Sequence, residues 1–111
     1  MAYDEVLAGR IRHLVGAEPG LTEQKMFGGL AFLIGGNMAI AASGQGGLLV
    51  RVDPDHFDAL IAETAALPME MRGREMRGWL RVEAADVASK SELERWARLG
   101  TAYARSLPAK T

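Results

Sequence analysis

The sequence predicts an α+β domain with the order α-β-β-β-α-β-β-α, an antiparallel sheet and flanking helices. Three observations predict it. Apolar residues recur at helical spacing at both ends, first at Tyr3, Leu7, Ile11 and Leu14, then at Leu93, Trp96, Ala97, Gly100, Ala104 and Leu107. Between Lys25 and Asp53 the pattern changes to short β-type runs, KMFGGLAFLIG, NMAIAAS and GLLVRVD. The links between those runs, Gly35-Gly36 and Gly44-Gln45-Gly46-Gly47, are too short for a parallel crossover, which takes about a dozen residues. The middle of the chain therefore reads as a three-stranded meander.

Each element has its own start and stop. The first helix covers about 3 to 16 and ends at Gly16 and Pro19-Gly20. Asp53-Pro54 opens the second helix, because the carboxylate caps free amides and proline has no N–H to waste in the first turn. Phe57, Leu60 and Ile61 supply its buried stripe. After Pro68, MEMR and WLRVEA form a second hairpin, whose register the run Gly73 to Gly78 leaves open. The final helix begins at a capping box, Ser89 with Glu92 or Ser91 with Glu94, and stops at Pro108.

Composition narrows the function. The 111 residues fit one domain, 1–111, and size scaling predicts that roughly 65% of the unfolded surface is buried, so no covalent staple is required. There are no cysteines, which excludes a disulfide framework, zinc-thiolate sites and a thiol nucleophile, and suits the cytoplasm. Thirteen Lys and Arg against fourteen Asp and Glu give a formal charge of −1, so no overall field draws nucleic acid or an anionic membrane. The opening MAYDEVLAGRIRHL is not a secretory signal, and no run reaches the ~20 apolar residues of a membrane span.

Few side chains suit catalysis. His13 and His56 stand in helices outside any catalytic motif, no HExxH or EF-hand spacing is present, and Asp53, Asp55 and Asp58 read as a dipole-matched helix start. The glycine pairs lie within or between strands, without the lysine and hydroxyl of a phosphate loop. Turns at Gly35-Gly36 and Gly46-Gly47, with a bulge or close backbone approach at Gly28-Gly29, explain them. The expectation is a non-enzymatic protein with no cofactor and no metal.

Two surfaces remain. Alternation along the strands puts Leu30, Phe32, Ile34, Met38, Ile40, Leu48, Val50, Leu80 and Val82 in the core. The reverse face carries Ala31, Leu33, Ala39, Ala41, Leu49, Arg51, Trp79 and Arg81, which is too apolar for an ordinary wet face. Either a helix covers it or another chain does, a protein partner or a second copy, with Leu33, Leu49, Arg51, Trp79 and Arg81 as contacts. The alternative is nucleic-acid binding through Lys25, Arg72, Arg74 and Arg77, with Glu70, Glu75 and Glu83 close enough to neutralise part of that charge.

The run KMFGGLAFLIGGNMAIAAS, followed by GLLVRVD, MRGWLRV and ELERWARLGTAYARSLP, resembles the TfoX/Sxy N-terminal domain family, whose hallmark is a Met-Phe-Gly-Gly element leading into a β-meander. Here that element is Met26, Phe27, Gly28 and Gly29. The resemblance implies an α-β3-α-β2-α fold and regulatory rather than enzymatic work. Longer relatives, which carry a second C-terminal domain, are associated with natural competence in concert with a cyclic-AMP-receptor activator. It brings no catalytic residues, so Met26 and Phe27 are expected to be core anchors and Gly28-Gly29 to shape the backbone.

Overall fold

The computed structural model describes residues 3–26 and 28–109. Helix α1 runs Glu5–Val15, started by Asp4, whose carboxylate accepts the N–H groups of Val6 and Leu7 at 2.9 and 3.1 Å. It buries Leu7, Ala8, Ile11 and Val15, so the stripe sits slightly off the predicted one. Leu14 is half-buried at its flank, and Tyr3 precedes the helix but packs on the core.

Six antiparallel strands follow: β1 Leu21–Met26, β2 Gly29–Ile34, β3 Asn37–Ala42, β4 Leu48–Arg51, β5 Leu67–Met71 and β6 Arg74–Val82, in the spatial order β1-β2-β3-β4-β6-β5. The α+β class and the sequence of helix, meander, helix, hairpin, helix are as predicted. The meander gains a strand, because Leu21–Met26 pairs with β2 from Leu21 opposite Ile34 to Met26 opposite Gly29. This edge strand, LTEQKM, has apolar residues only at its two ends and so shows no alternation. Gly35-Gly36 forms the predicted β2–β3 turn with φ of +59° and +82°, the left-handed pair that a two-residue hairpin needs. The second hairpin turns in the same way on Arg72-Gly73, at +55° and +77°.

A 3-10 turn, Pro54–His56, leads into helix α2, Phe57–Glu63, with Asp53 accepting the Asp55 N–H at 2.9 Å. Helix α3, Lys90–Ser106, is capped by Ser89, which accepts the Glu92 N–H at 3.3 Å. It buries Leu93, Trp96, Ala97, Gly100, Thr101 and Ala104, whereas Leu107 falls just past its end.

All three helices pack on one face of the sheet, and that side holds the main core. Phe32, Ile40 and Leu80 are fully buried there, each contributing about 1.5–3 kcal/mol of transfer free energy. One feature of the pairing departs from simple alternation. Phe32 lies opposite Ile40 but Leu33 lies opposite Met38, so Ala39 is an extra residue in β3. This bulge turns Ala39 toward the helices beside Ile40 and moves Met38 to the reverse face, exchanging the predicted positions of Met38 and Ala39. The small Ala39 then meets Gly100 of α3, where any Cβ would strike the Ala39 carbonyl oxygen.

Arg12 of α1 grips Glu23 of β1 through two hydrogen bonds, 2.6 and 2.8 Å. These bonds hold the Glu23 carboxyl below its ordinary range, since they favour the charged form.

Gly100→Ala is expected to destabilise the fold by about 1–3 kcal/mol in urea titrations, because backbone rather than a flexible side chain blocks the new methyl. Gly9→Ala in α1, where a Cβ meets nothing within 4 Å, is expected to stabilise it by up to about 1 kcal/mol. Equal responses at the two glycines would contradict the packing of α3. Glu23 has a lowered folded-state pKa, so its contribution is present above the ordinary carboxylate pKa and is lost as pH falls through the lowered value. The stability difference between wild type and Glu23→Gln should therefore be constant near neutrality and vanish in acid, as read by urea titrations across pH.

Candidate functional site

The reverse face is as apolar as its alternation predicts. Ala31, Leu33, Met38, Ala41 and Leu49 form a second cluster, between 1% and 7% exposed. No described helix contributes to it. Half-buried Met26, Met69 and Trp79 pack over it, and Met26 and Met69 come from the two edge strands. The sheet therefore coils around this face and largely covers it with its own margins, which the small Ala31 and Ala41 permit. Met26, expected to be a core anchor, packs half-buried against this second cluster, and Phe27 lies outside the described residues. Gly29 performs the predicted close approach, since a Cβ there would collide with the Ala42 carbonyl oxygen across the ladder.

Coverage is incomplete along β5. There a cleft of about 500 Å³ opens between β5 and the turn joining β3 to β4, floored by Leu49 and walled by Leu67, Met69 and Met71. Pairing between β5 and β6 is interrupted here: Pro68 faces Leu80 and Glu70 faces Glu75, so Met69 alone stands against Met76 to Trp79. On its other edge β6 stays paired, the Gly78 carbonyl accepting the Val52 N–H at 2.8 Å as the next rung of the β4–β6 ladder. Leu67 is 48% exposed at the cleft mouth, an unusual position for a large apolar side chain of a strand.

Arg81 holds the opposite wall. Its guanidinium donates to Ser43 Oγ at 3.1 Å and to the carbonyls of Gln45 and Gly46 at 3.1 and 2.9 Å, with Glu83 at 3.7 Å. It clamps the Ser43–Gly47 turn to β6. Arg51 behaves differently. Its guanidinium carbon lies 5.2 Å from the Trp79 ring centre and 5.6 Å from that of Tyr103, within the reach of cation–π attraction. Among the described residues no carboxylate lies within ion-pair distance of it. Arg51 and Leu49 are two residues apart on β4, so their backbone positions are about 7 Å apart along the strand.

Of the five reverse-face residues singled out from the sequence, the structure makes Leu49 the cleft floor, Leu33 a buried member of the second cluster, Arg81 a wall clamp, and Arg51 with Trp79 a half-buried pair outside the cleft lining. Tyr103 was missed. Its position, three residues after Gly100 and seven after Trp96, places it along the buried stripe of α3, where the same spacing that includes Tyr3 in the first helix marks it.

The four cations of the alternative surface are not brought together. Lys25 is on the edge strand β1, in the row that runs through Leu30, Ala42 and Leu48 to Val82. Arg74 is at the other end of β6, with Arg72 in the adjoining turn. Arg77 is paired with Asp58 of α2 at 3.2 Å and lies over the Phe57 ring. Glu83 pairs with Arg81, while Glu70 and Glu75 face each other across β5 and β6. His56 is exposed in the 3-10 turn, and His13 is exposed on α1 beside Arg10 and Lys90. Among the described residues no three His, Asp or Glu side chains are placed to hold a metal ion.

These features define a class: a helix-backed antiparallel α+β domain whose coiled sheet offers a concave, methionine-rich face. Residues 13–104 match the model of the TfoX N-terminal domain, and the chain belongs to that family. No curated protein and no solved structure matches the chain. Among the described residues no helix is long and apolar enough to cross a membrane.

Removal of the clamp tests the site's construction. Arg81→Met is expected to cost about 1–3 kcal/mol and to raise amide exchange at Gln45 and Gly46 more than in α3. Unchanged protection in the Ser43–Gly47 turn would remove Arg81 from that role.

Proposed function

We propose that this TfoX N-terminal domain is a non-enzymatic regulatory module of the cytoplasm that binds a protein partner through the reverse face of its sheet. The observation that carries this reading is the Arg51 guanidinium, stacked on Trp79 and near Tyr103, without an acidic partner among the described residues and on the strand whose Leu49 lines an open cleft of mixed polar and apolar character. Arginine, tryptophan and tyrosine are the residue types that most often anchor interfaces. Holding the guanidinium on two rings reduces the freedom it would lose on binding, which favours pairing with a carboxylate of the partner.

The neighbouring surface supplies the apolar half of such a contact. Met69 and Met71 line the cleft, and thioether side chains repack easily around varied shapes. Leu49 forms the floor beneath, Leu33 belongs to the buried cluster beside it, and Arg81 keeps the Ser43–Gly47 wall in place. A second copy of the chain is one candidate for the partner, and a different protein is the other.

A photo-cross-linking side chain at position 67, on the cleft mouth, is expected to trap a protein in cells. The same probe at position 98, on the exposed side of α3, is not. Arg51→Glu and Trp79→Ala should each reduce the position-67 adduct at least tenfold while circular dichroism stays unchanged. Adducts indifferent to both substitutions, or none at position 67, would remove the reading. The mass of the adduct separates self-association from a foreign partner.

A further inference from the structure

A second surface lies on the helix side, between α1 and the start of α3. Gly9, Arg10, His13, Leu14, Lys90 and Leu93 line a groove of about 450 Å³, the size of a small-molecule site rather than of a protein interface. Its floor is apolar: Leu93 is 1% exposed and Leu14 half-buried. Its rim is cationic, and no lining residue is acidic. Arg10 is steadied by donating to the Ala88 carbonyl at 3.2 Å, and neither it, His13 nor Lys90 is in an ion pair among the described residues.

Gly9 is the residue in this groove that the fold does not explain. It sits in the interior of α1, where glycine destabilises a helix by about 1 kcal/mol relative to alanine. Its φ is not positive, and a Cβ there would meet nothing within 4 Å. Elsewhere in the chain, Gly29 and Gly100 lack a side chain because backbone presses on them. At Gly9 the space that a side chain would fill is open to the groove. Val6, at 75% exposure, lies three residues earlier on the same side of α1 and extends the apolar strip. From Val6 to His13 the strip spans about 10 Å of helix.

We propose that this groove binds an amphiphilic organic anion, a phosphate monoester or carboxylate bearing a short aliphatic chain. The chain would lie over Gly9 on Leu14 and Leu93, with the head group among Arg10, His13 and Lys90. This site is independent of the protein-binding reading above.

The test is a titration of the isotope-labelled protein with octyl phosphate, inorganic phosphate and octyltrimethylammonium, followed by amide chemical shifts. Octyl phosphate is expected to bind one site, perturb Val6–Leu14 and Ser89–Leu93, and bind at least tenfold more tightly than inorganic phosphate, while octyltrimethylammonium leaves these amides unmoved. Gly9→Leu, which fills the groove and suits a helix, should keep or raise Tm yet weaken octyl phosphate at least tenfold. Arg10→Glu should weaken it similarly. Equal affinity for inorganic phosphate, equal affinity for the cationic amphiphile, or undiminished binding by Gly9→Leu would each overturn the proposal. Binding of an acidic peptide in place of octyl phosphate would overturn it too. Co-sedimentation with phosphatidylglycerol vesicles that Gly9→Leu abolishes assigns the anion to a lipid head group. Binding of octyl phosphate without co-sedimentation assigns it to a free metabolite.

Discussion

The extra residue in β3 sets the arrangement of both faces of the sheet. By turning Ala39 as well as Ile40 toward the helices, the bulge presents a small side chain and a bare carbonyl where α3 crosses, and Gly100 lets the helix come down onto them. Trp96 and Ala97, on the same side of the helix, are then 1% and 3% exposed. The same shift sends Met38 through the sheet to the reverse face, where it joins Leu33 and Leu49. A strand without the bulge would place a methionine under α3 and an alanine on the far side. The first change overfills the helix contact and the second removes volume from the cluster that the coiled sheet closes upon.

Closure of that second cluster explains why an apolar face can exist without a helix upon it. A flat sheet with five buried side chains on its far side would expose them to water. A coiled one brings its edge residues Met26 and Met69 inward and shields them. The cost of coiling appears at β5, the strand farthest from the meander, where the pairing with β6 is interrupted and a cleft remains. Arg81 adds to the loop's own bonds, Ser43 N–H to the Gly47 carbonyl and Gly46 N–H to the Ser43 carbonyl, by tying this glycine-rich wall to β6. The open cleft on this face is thus left where the sheet's own side chains stop covering its reverse side.

Much of this was legible in the sequence, and what was not has identifiable causes. The helix starts at Asp53 and Ser89, the tight turn at Gly35-Gly36 and the close approach at Gly28-Gly29 rest on local chemistry, which a sequence displays directly. The excess of apolar residues on the reverse face was legible too, from alternation. A bulge is not: the extra residue breaks the alternation between Met38 and Ile40 and exchanges the faces of Met38 and Ala39, and nothing in NMAIAA marks Ala39 as the extra one. Edge strand β1 was hidden because an edge needs no alternating apolar residues. The partners of Arg81, Arg77 and Arg51 were hidden for a different reason, since each depends on a contact between elements distant in the chain.

The arginines show how structure separates the two kinds of role that sequence merges. Arg12, Arg77 and Arg81 all looked like surface charge, yet each is committed to a contact with a distant segment: Glu23, Asp58 with Phe57, and the Ser43–Gly47 turn. Arg51 and Arg10 are also oriented, the first by aromatic rings and the second by one carbonyl, but most of their donors face no acidic group among the described residues. Orientation without neutralisation is what a recognition residue requires, because a fixed cation binds an incoming anion with less loss of rotamer freedom than a mobile one. A folding role alone does not call for it. The same reasoning distinguishes Gly9 from Gly100: both lie within helices, but only Gly100 is explained by what packs against it. Residues whose form the fold does not require therefore mark two places, the Arg51 end of β4, where Trp79 and Tyr103 meet it, and the α1–α3 groove.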